Sequence, residues 1–116
     1  MDEPRSVLLY LSDIIESIDL IDVYVKDLDQ QVFLSSQEKQ DAVIRRIEII
    51  GEAAGKIPNS IRKLYPEVPW IKIKGIRNVA IHHYFGVSPE LIWQVATVDI
   101  LELKPWVEKA IKEISS

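Results

Sequence analysis

The amino-acid sequence predicts an all-α protein, an up-and-down bundle of four to five helices. Three observations lead there. Apolar residues recur at helical spacing over most of the chain. The single stretch that alternates like a strand has no second strand to pair with, and an isolated strand is not stable. Proline and glycine fall mostly between the periodic segments, with Gly75, Pro105 and the small-residue cluster at 51–55 as the exceptions.

From Ser6 to Lys26 the apolar positions are Val7, Leu8, Leu11, Ile14, Ile15, Ile18, Ile21 and Val25. Asp13, Glu16, Asp19 and Asp22 fall on other faces, so the spacing predicts a long amphipathic helix with an acidic exterior. Asp27 to Leu34 reads as a loop. Ser35 with Glu38 three residues on predicts a capping box that starts a second helix. That helix runs to about Lys56, with its stripe at Val43, Ile47, Ile50, Ala53, Ala54 and Ile57. Gly51, Ala53, Ala54 and Gly55 form a small-residue cluster, each glycine costing about 1 kcal/mol of helix propensity relative to alanine. Such a cluster lets a neighbouring helix approach closely.

Pro58 breaks the helix, and Ser60 to Tyr65 suits a short extra turn. Trp70-Ile71-Lys72-Ile73-Lys74-Gly75-Ile76 alternates apolar and basic residues, yet reads best as the entrance of a helix that continues through Tyr84 and stops at Gly86. Ser88-Pro89-Glu90 is a helix start, with a capping serine, proline in the first turn and an early acid. The last helical region runs to Ile114, with Leu91, Val95, Val98, Val107, Ile111 and Ile114 expected inward and a kink from Pro105 near Leu103.

With 116 residues, 47% hydrophobic and 28% charged, the chain has the composition of a single folded domain spanning 1–116. No apolar run approaches the roughly 20 residues that cross a bilayer, and the acidic start Met1-Asp2-Glu3 does not resemble a signal peptide. A cytoplasmic location without membrane contact is expected. Cysteine is absent, which excludes disulfides, zinc–thiolate sites and a cysteine nucleophile. The net charge of −4 is unevenly spread: residues 1–55 balance to −7, residues 56–77 to +5 and residues 78–116 to −2. Lys56, Arg62, Lys63, Lys72, Lys74 and Arg77 make up the basic stretch. It runs into Arg77-Asn78-Val79-Ala80-Ile81-His82-His83-Tyr84, the candidate functional centre.

His82 and His83 are the only histidines, and on a helix they diverge by about 100°. No spacing suits a metal, so neither a metal site nor a cofactor is expected. Nor is there a nucleophile elbow of the Gly-x-Ser-x-Gly kind. Asn78 and His82 are four apart and share one stripe, while Arg77 and Tyr84 are seven apart and share another. The stripes lie roughly 140° apart at about 100° per residue. Three arrangements would bring Arg77 and His82 to one site: a wrapped arginine side chain, a distorted helix, or a second subunit contributing its own motif. These residue types suit RNA cleavage. Histidine transfers protons near neutral pH, arginine holds a phosphate undergoing attack by the ribose 2′-hydroxyl, and Asn78 orients the histidine or donates to phosphate oxygen. The bland alternative is packing histidine and tyrosine beside a surface arginine, and spacing alone does not separate the two.

The wider sequence adds Ala42-Val43 through Arg46 and Glu48 to Ile49-Ile50-Gly51-Glu52-Ala53-Ala54, then Pro69-Trp70, Ile73-x-Gly75-x-Arg77-Asn78, and Ile92-Trp93 followed by Asp99. With Arg77, His82 and Tyr84 in an Arg-x4-His-x-Tyr motif, the chain resembles the HepT-like toxins, a branch of the HEPN superfamily of metal-independent ribonucleases. It departs from the pattern where a proline is expected soon after the aspartate and comes only at Pro105. The resemblance implies a homodimeric helical bundle with two motifs facing one cleft and endoribonuclease activity on RNA, with Arg77 and His82 catalytic and Asn78 the polar neighbour. It also implies a toxin–antitoxin setting, in which a nucleotidyltransferase of the MntA type uses ATP to attach AMP to Tyr84. Lys72, Lys74 and His83 are further candidates for contact with RNA, and Glu52 for orienting Arg77. The competing reading is a non-catalytic module whose cleft binds a nucleotide or docks the nucleotidyltransferase.

Overall fold

The computed structural model describes the backbone of residues 4–83 and 88–116, and the side chains of 6–78 and 88–116. The described residues form helices with no strand: α1 (Pro4–Val25), α2 (Gln30–Leu34), α3 (Gln37–Gly55), α4 (Asn59–Leu64), α5 (Trp70–His83), α6 (Pro89–Gln94) and α7 (Ile100–Ser115). A π-helical turn, Val95–Asp99, joins α6 to α7, so Pro89–Ser115 is one interrupted rod. α1, α3, α5 and this rod are the long members of the expected all-α bundle. No helix among the described residues is long and apolar enough to cross a membrane.

α1 packs along α3 on one side and α7 on another, and α3 also carries α5. Val7, Leu11, Ile14, Ile18 and Ile21 of α1 are fully buried, and meet Val43, Ile47 and Ile50 of α3 and Leu103 and Val107 of α7 in one core. The stripe expected on the second helix is buried throughout, including Ala53, Ala54 and Ile57.

The segment between α1 and α3 differs from the expected loop, because Asp29 accepts a hydrogen bond from the Val32 amide at 2.8 Å and caps α2. That short turn drives Phe33 into the core against Trp93, ring centroids 5.2 Å apart. The cap of α3 is correspondingly Ser36, which accepts from the Lys39 amide at 3.1 Å. Ser35 closes α2 by donating its hydroxyl to the Gln31 carbonyl. Buried Gln40 then donates to the carbonyls of Phe33 and Leu34, both at 3.1 Å, satisfying the end of α2 from inside α3.

The last rod also departs from expectation in two respects. α7 passes through Pro105, and the irregularity lies upstream in the π turn. There the Thr97 hydroxyl donates to the Trp93 carbonyl at 2.7 Å, occupying the acceptor that an α-helical Thr97 amide would use. The buried set is Ile92, Val95, Ala96, Ile100, Leu103, Val107 and Ala110, while Leu91 and Val98 are exposed. The rod is therefore rotated by about one position, roughly 100°, over its first half relative to the expected stripe. Ile111 and Ile114 are half-buried against the core.

Candidate active site

The alternating stretch is helical, and the helix separates residues that a strand would have kept together. Ile73 is 1% exposed and Ile71 is 89% exposed, although both would share one strand face. Ile73 and Ile76 seat α5 in the core beside α3. Arg77 follows immediately and is directed onto α3 at the small-residue cluster. A Cβ built on Gly51 would lie 2.6 Å from Cβ and Cγ of Arg77 and 2.8 Å from its Cδ. These distances are shorter than real carbon contacts, so the stem of Arg77 occupies the space that any larger residue at 51 would need.

Beside this contact is a cavity of about 230 Å³ lined by Gly51, Ala54, Gly55, Arg62, Trp70, Ile73, Lys74 and Arg77. Gly51, Ala54 and Ile73 are among its apolar lining. Its charged lining is cationic, and no carboxylate joins it among the described residues. Arg62 comes from α4, which Pro58 starts by ending the preceding turn. Its Nε donates to the Ile57 carbonyl at 3.0 Å and its Nη2 to the Ala54 carbonyl at 2.6 Å, so the guanidinium caps the C-terminal end of α3. The same group lies over the ring of Trp70, 5.7 Å from its centroid, and Trp70 is held by donating Nε1–H to the Tyr65 carbonyl. Two hydrogen bonds and a ring contact thus fix a cation before any ligand arrives.

Of the residues expected at the site, Arg77 and Lys74 line this cavity. Asn78 is exposed on the next position of α5. His82 and His83 close α5, but their side chains lie outside the described residues, and Tyr84 lies outside them altogether. Glu52 is exposed beside Gly51 and makes no ion pair with Arg77 among the described residues. Lys72 is turned elsewhere: its ammonium is 2.5 Å from Glu102 and 3.8 Å from Asp99. The hydrogen bond to Glu102, aided by both carboxylate charges, holds Lys72 above the ordinary lysine range. Two positions apart on a helix is about 200°, which is why Lys72 faces Asp99 and Glu102 in the middle of the last rod while Lys74 faces the cavity beside α3. Among the described residues, no group of three or more His, Asp or Glu is placed to hold a metal ion.

Arg62 and Trp70 were not singled out as site residues by sequence reasoning. The available signal was indirect: a basic residue shortly after a helix that ends in Gly55-Lys56-Ile57 is well placed to satisfy that helix's last carbonyls.

A family model described as Ribonuclease HepT-like matches residues 14–110. The chain belongs to the HepT-like ribonuclease family. Among its relatives, "Probable ribonuclease HepT" of Thermococcus cleftensis is 43% identical over 89% of this chain and 94% of its own length. "Putative RNase" of Methanocaldococcus jannaschii is 40% identical over 95% of each chain. "Gamma-glutamylcyclotransferase and putative RNase" of the same organism is 44% identical over 95% of this chain, which spans half the length of that relative. No solved structure is a significant match.

Proposed function

We propose that this HepT-like chain is a metal-independent endoribonuclease. The observation that carries this reading is the placement of Arg77, exposed at its tip, over Gly51 at the edge of a cation-lined cavity. Arg77 holds a non-bridging oxygen of the scissile phosphate and balances charge as it builds on the phosphorane. His82 moves the proton. The ribose 2′-oxygen loses its proton and bonds to phosphorus, the bond from phosphorus to the 5′-oxygen breaks, and that oxygen takes up a proton. The products are a 2′,3′-cyclic phosphate and a 5′-hydroxyl. Asn78, one position from Arg77 on exposed helix surface, donates to phosphate or orients His82.

Arg77 and His82 stand five apart in a helix, about 140° round its axis, which favours a homodimer in which two motifs face one cleft. Family membership supports a toxin role with a nucleotidyltransferase antitoxin of the MntA type. Transfer of AMP to Tyr84, in the same sequence motif as the phosphate-binding arginine, would add bulk and negative charge and block RNA by sterics and repulsion.

Incubation of unmodified protein with RNA, with and without chelator, tests the catalytic reading. Cleavage by wild type that survives chelation and is lost in Arg77→Ala and His82→Ala is expected. Equal cleavage by wild type and His82→Ala, or none by either, would overturn it, the latter in favour of a docking module. An AMP-sized mass increment after co-expression with the nucleotidyltransferase, absent in Tyr84→Phe, is expected for the regulatory step. Light scattering should give a dimer at micromolar concentration.

A further inference from the structure

From the cavity beside Arg77 we infer that the protein has a second phosphate subsite, built from Arg62 and Lys74 with Arg77 at its border, which holds a phosphodiester of single-stranded RNA next to the scissile one. The inference rests on the ribonuclease reading and adds to it a site outside the Arg-x4-His motif.

Four features converge on this ligand. Arg62, Lys74 and Arg77 reach the same cavity from α4 and α5, and no carboxylate among the described residues lines it. By contrast, Lys72, Lys104 and Lys109 each have a carboxylate within 4 Å, and those three lysines are accordingly neutralised on other faces. Arg62 is already immobilised through Nε and Nη2, so ordering it around an anion costs little further side-chain entropy. Among the described residues its Nη1 has no hydrogen-bond partner, which leaves the fork one edge for a phosphate oxygen. At about 230 Å³ the cavity is several times the ~30 Å³ share of one water, so it has room for a phosphate with part of its sugar. Gly51, Ala54, Ile73 and Trp70, also in the lining, offer carbon surface that suits the face of a ribose more than a free, fully hydrated ion. Arg77 belongs to both the cavity and the catalytic motif, so a strand held there reaches the reacting phosphate within one nucleotide step.

The test is binding of a single-stranded, fully 2′-O-methylated oligonucleotide, which lacks the attacking hydroxyl and is not cut, followed across salt concentrations. Each phosphate neutralised in a single strand contributes about 0.7 to the slope of log affinity against log salt. Lys74→Ala and Arg62→Gln are each expected to flatten the slope by roughly that amount and to weaken binding several-fold at low salt, and Lys74→Arg to restore it. Lys112→Ala, which removes an equal charge from exposed α7, is the control and should leave the slope unchanged. Arg62→Gln also weakens the cap on α3, so its melting temperature is measured alongside; loss of a cap alone lowers melting without changing the slope. A slope equal to wild type in either cavity variant, or equal losses in Lys112→Ala, would overturn the subsite while leaving the ribonuclease reading intact. Failure of wild type to bind the oligonucleotide at all would remove both.

Discussion

Gly51 of α3 and Arg77 of α5 are packed directly together: the arginine stem lies 2.6 Å from where a Cβ at position 51 would be. The glycine therefore does more than permit helix approach. It leaves the space through which the arginine is aimed, and the tip of Arg77 is set by what residue 51 lacks.

Gly51→Ala is expected to lower RNA cleavage by tenfold or more. The gain in helix propensity, about 1 kcal/mol, is offset by overpacking of about 1–3 kcal/mol, because the clash is with the root of the arginine side chain, which cannot swing away. Gly55→Ala is the matched comparison. A Cβ there meets nothing within 4 Å, and the position does not require a left-handed backbone. It should raise stability by up to about 1 kcal/mol in thermal or urea melts, and although Gly55 also lines the cavity, a Cβ there does not touch Arg77, so cleavage should fall much less than in Gly51→Ala. Similar activity losses in both variants would show that helix propensity, rather than the arginine contact, is responsible.

Arg62→Ala strands the carbonyl of Ile57 and leaves that of Ala54 with only its backbone bonding, which includes the Ile57 amide at 3.2 Å. Both are close to the core, so a loss of about 1–3 kcal/mol is expected in urea unfolding. Arg62→Lys keeps the charge without the fork and should recover only part of it.

Gln40→Ala removes the donor shared by the Phe33 and Leu34 carbonyls, and Gln40 is buried. A cost of about 1–3 kcal/mol is expected. The loss should be accompanied by faster amide exchange in 30–36, since α2 has few other anchors. Gln37→Ala breaks only an exposed contact with Asp41 and should change stability by less than about 0.5 kcal/mol.

The pairing of Lys72 with Glu102 and Asp99 has a direction with pH. The raised lysine pKa means that its contribution is complete below the ordinary lysine value and disappears as pH rises through the folded-state value. Melting temperature should fall at strongly alkaline pH, and Lys72→Met should remove that part of the fall. The pair is exposed, so the effect should be small and should shrink in high salt.

The sequence by itself determined the helical class, the buried stripes of α1 and α3, and the site segment's place on a helix, because each follows from spacing within about twenty residues. Local spacing also puts Arg77 and His82 about 140° apart around a straight helix. It did not determine the short α2, since Asp29 and Ser35 cap a turn whose reason to form is Phe33 finding the core against Trp93. The burial of Leu91 and Val98 was misread for a similar cause: a hydroxyl at Thr97 changes the local helix, and rotation about an axis is decided by neighbours. Tertiary structure alone decided that Lys72 and Lys74, equivalent in a basic run, separate into an ion pair and a cavity wall. It also decided that Gly51, read as a place where helices come close, receives the side chain of Arg77. Proximity between residues 26 positions apart depends on how two helices pack, and no local periodicity encodes that.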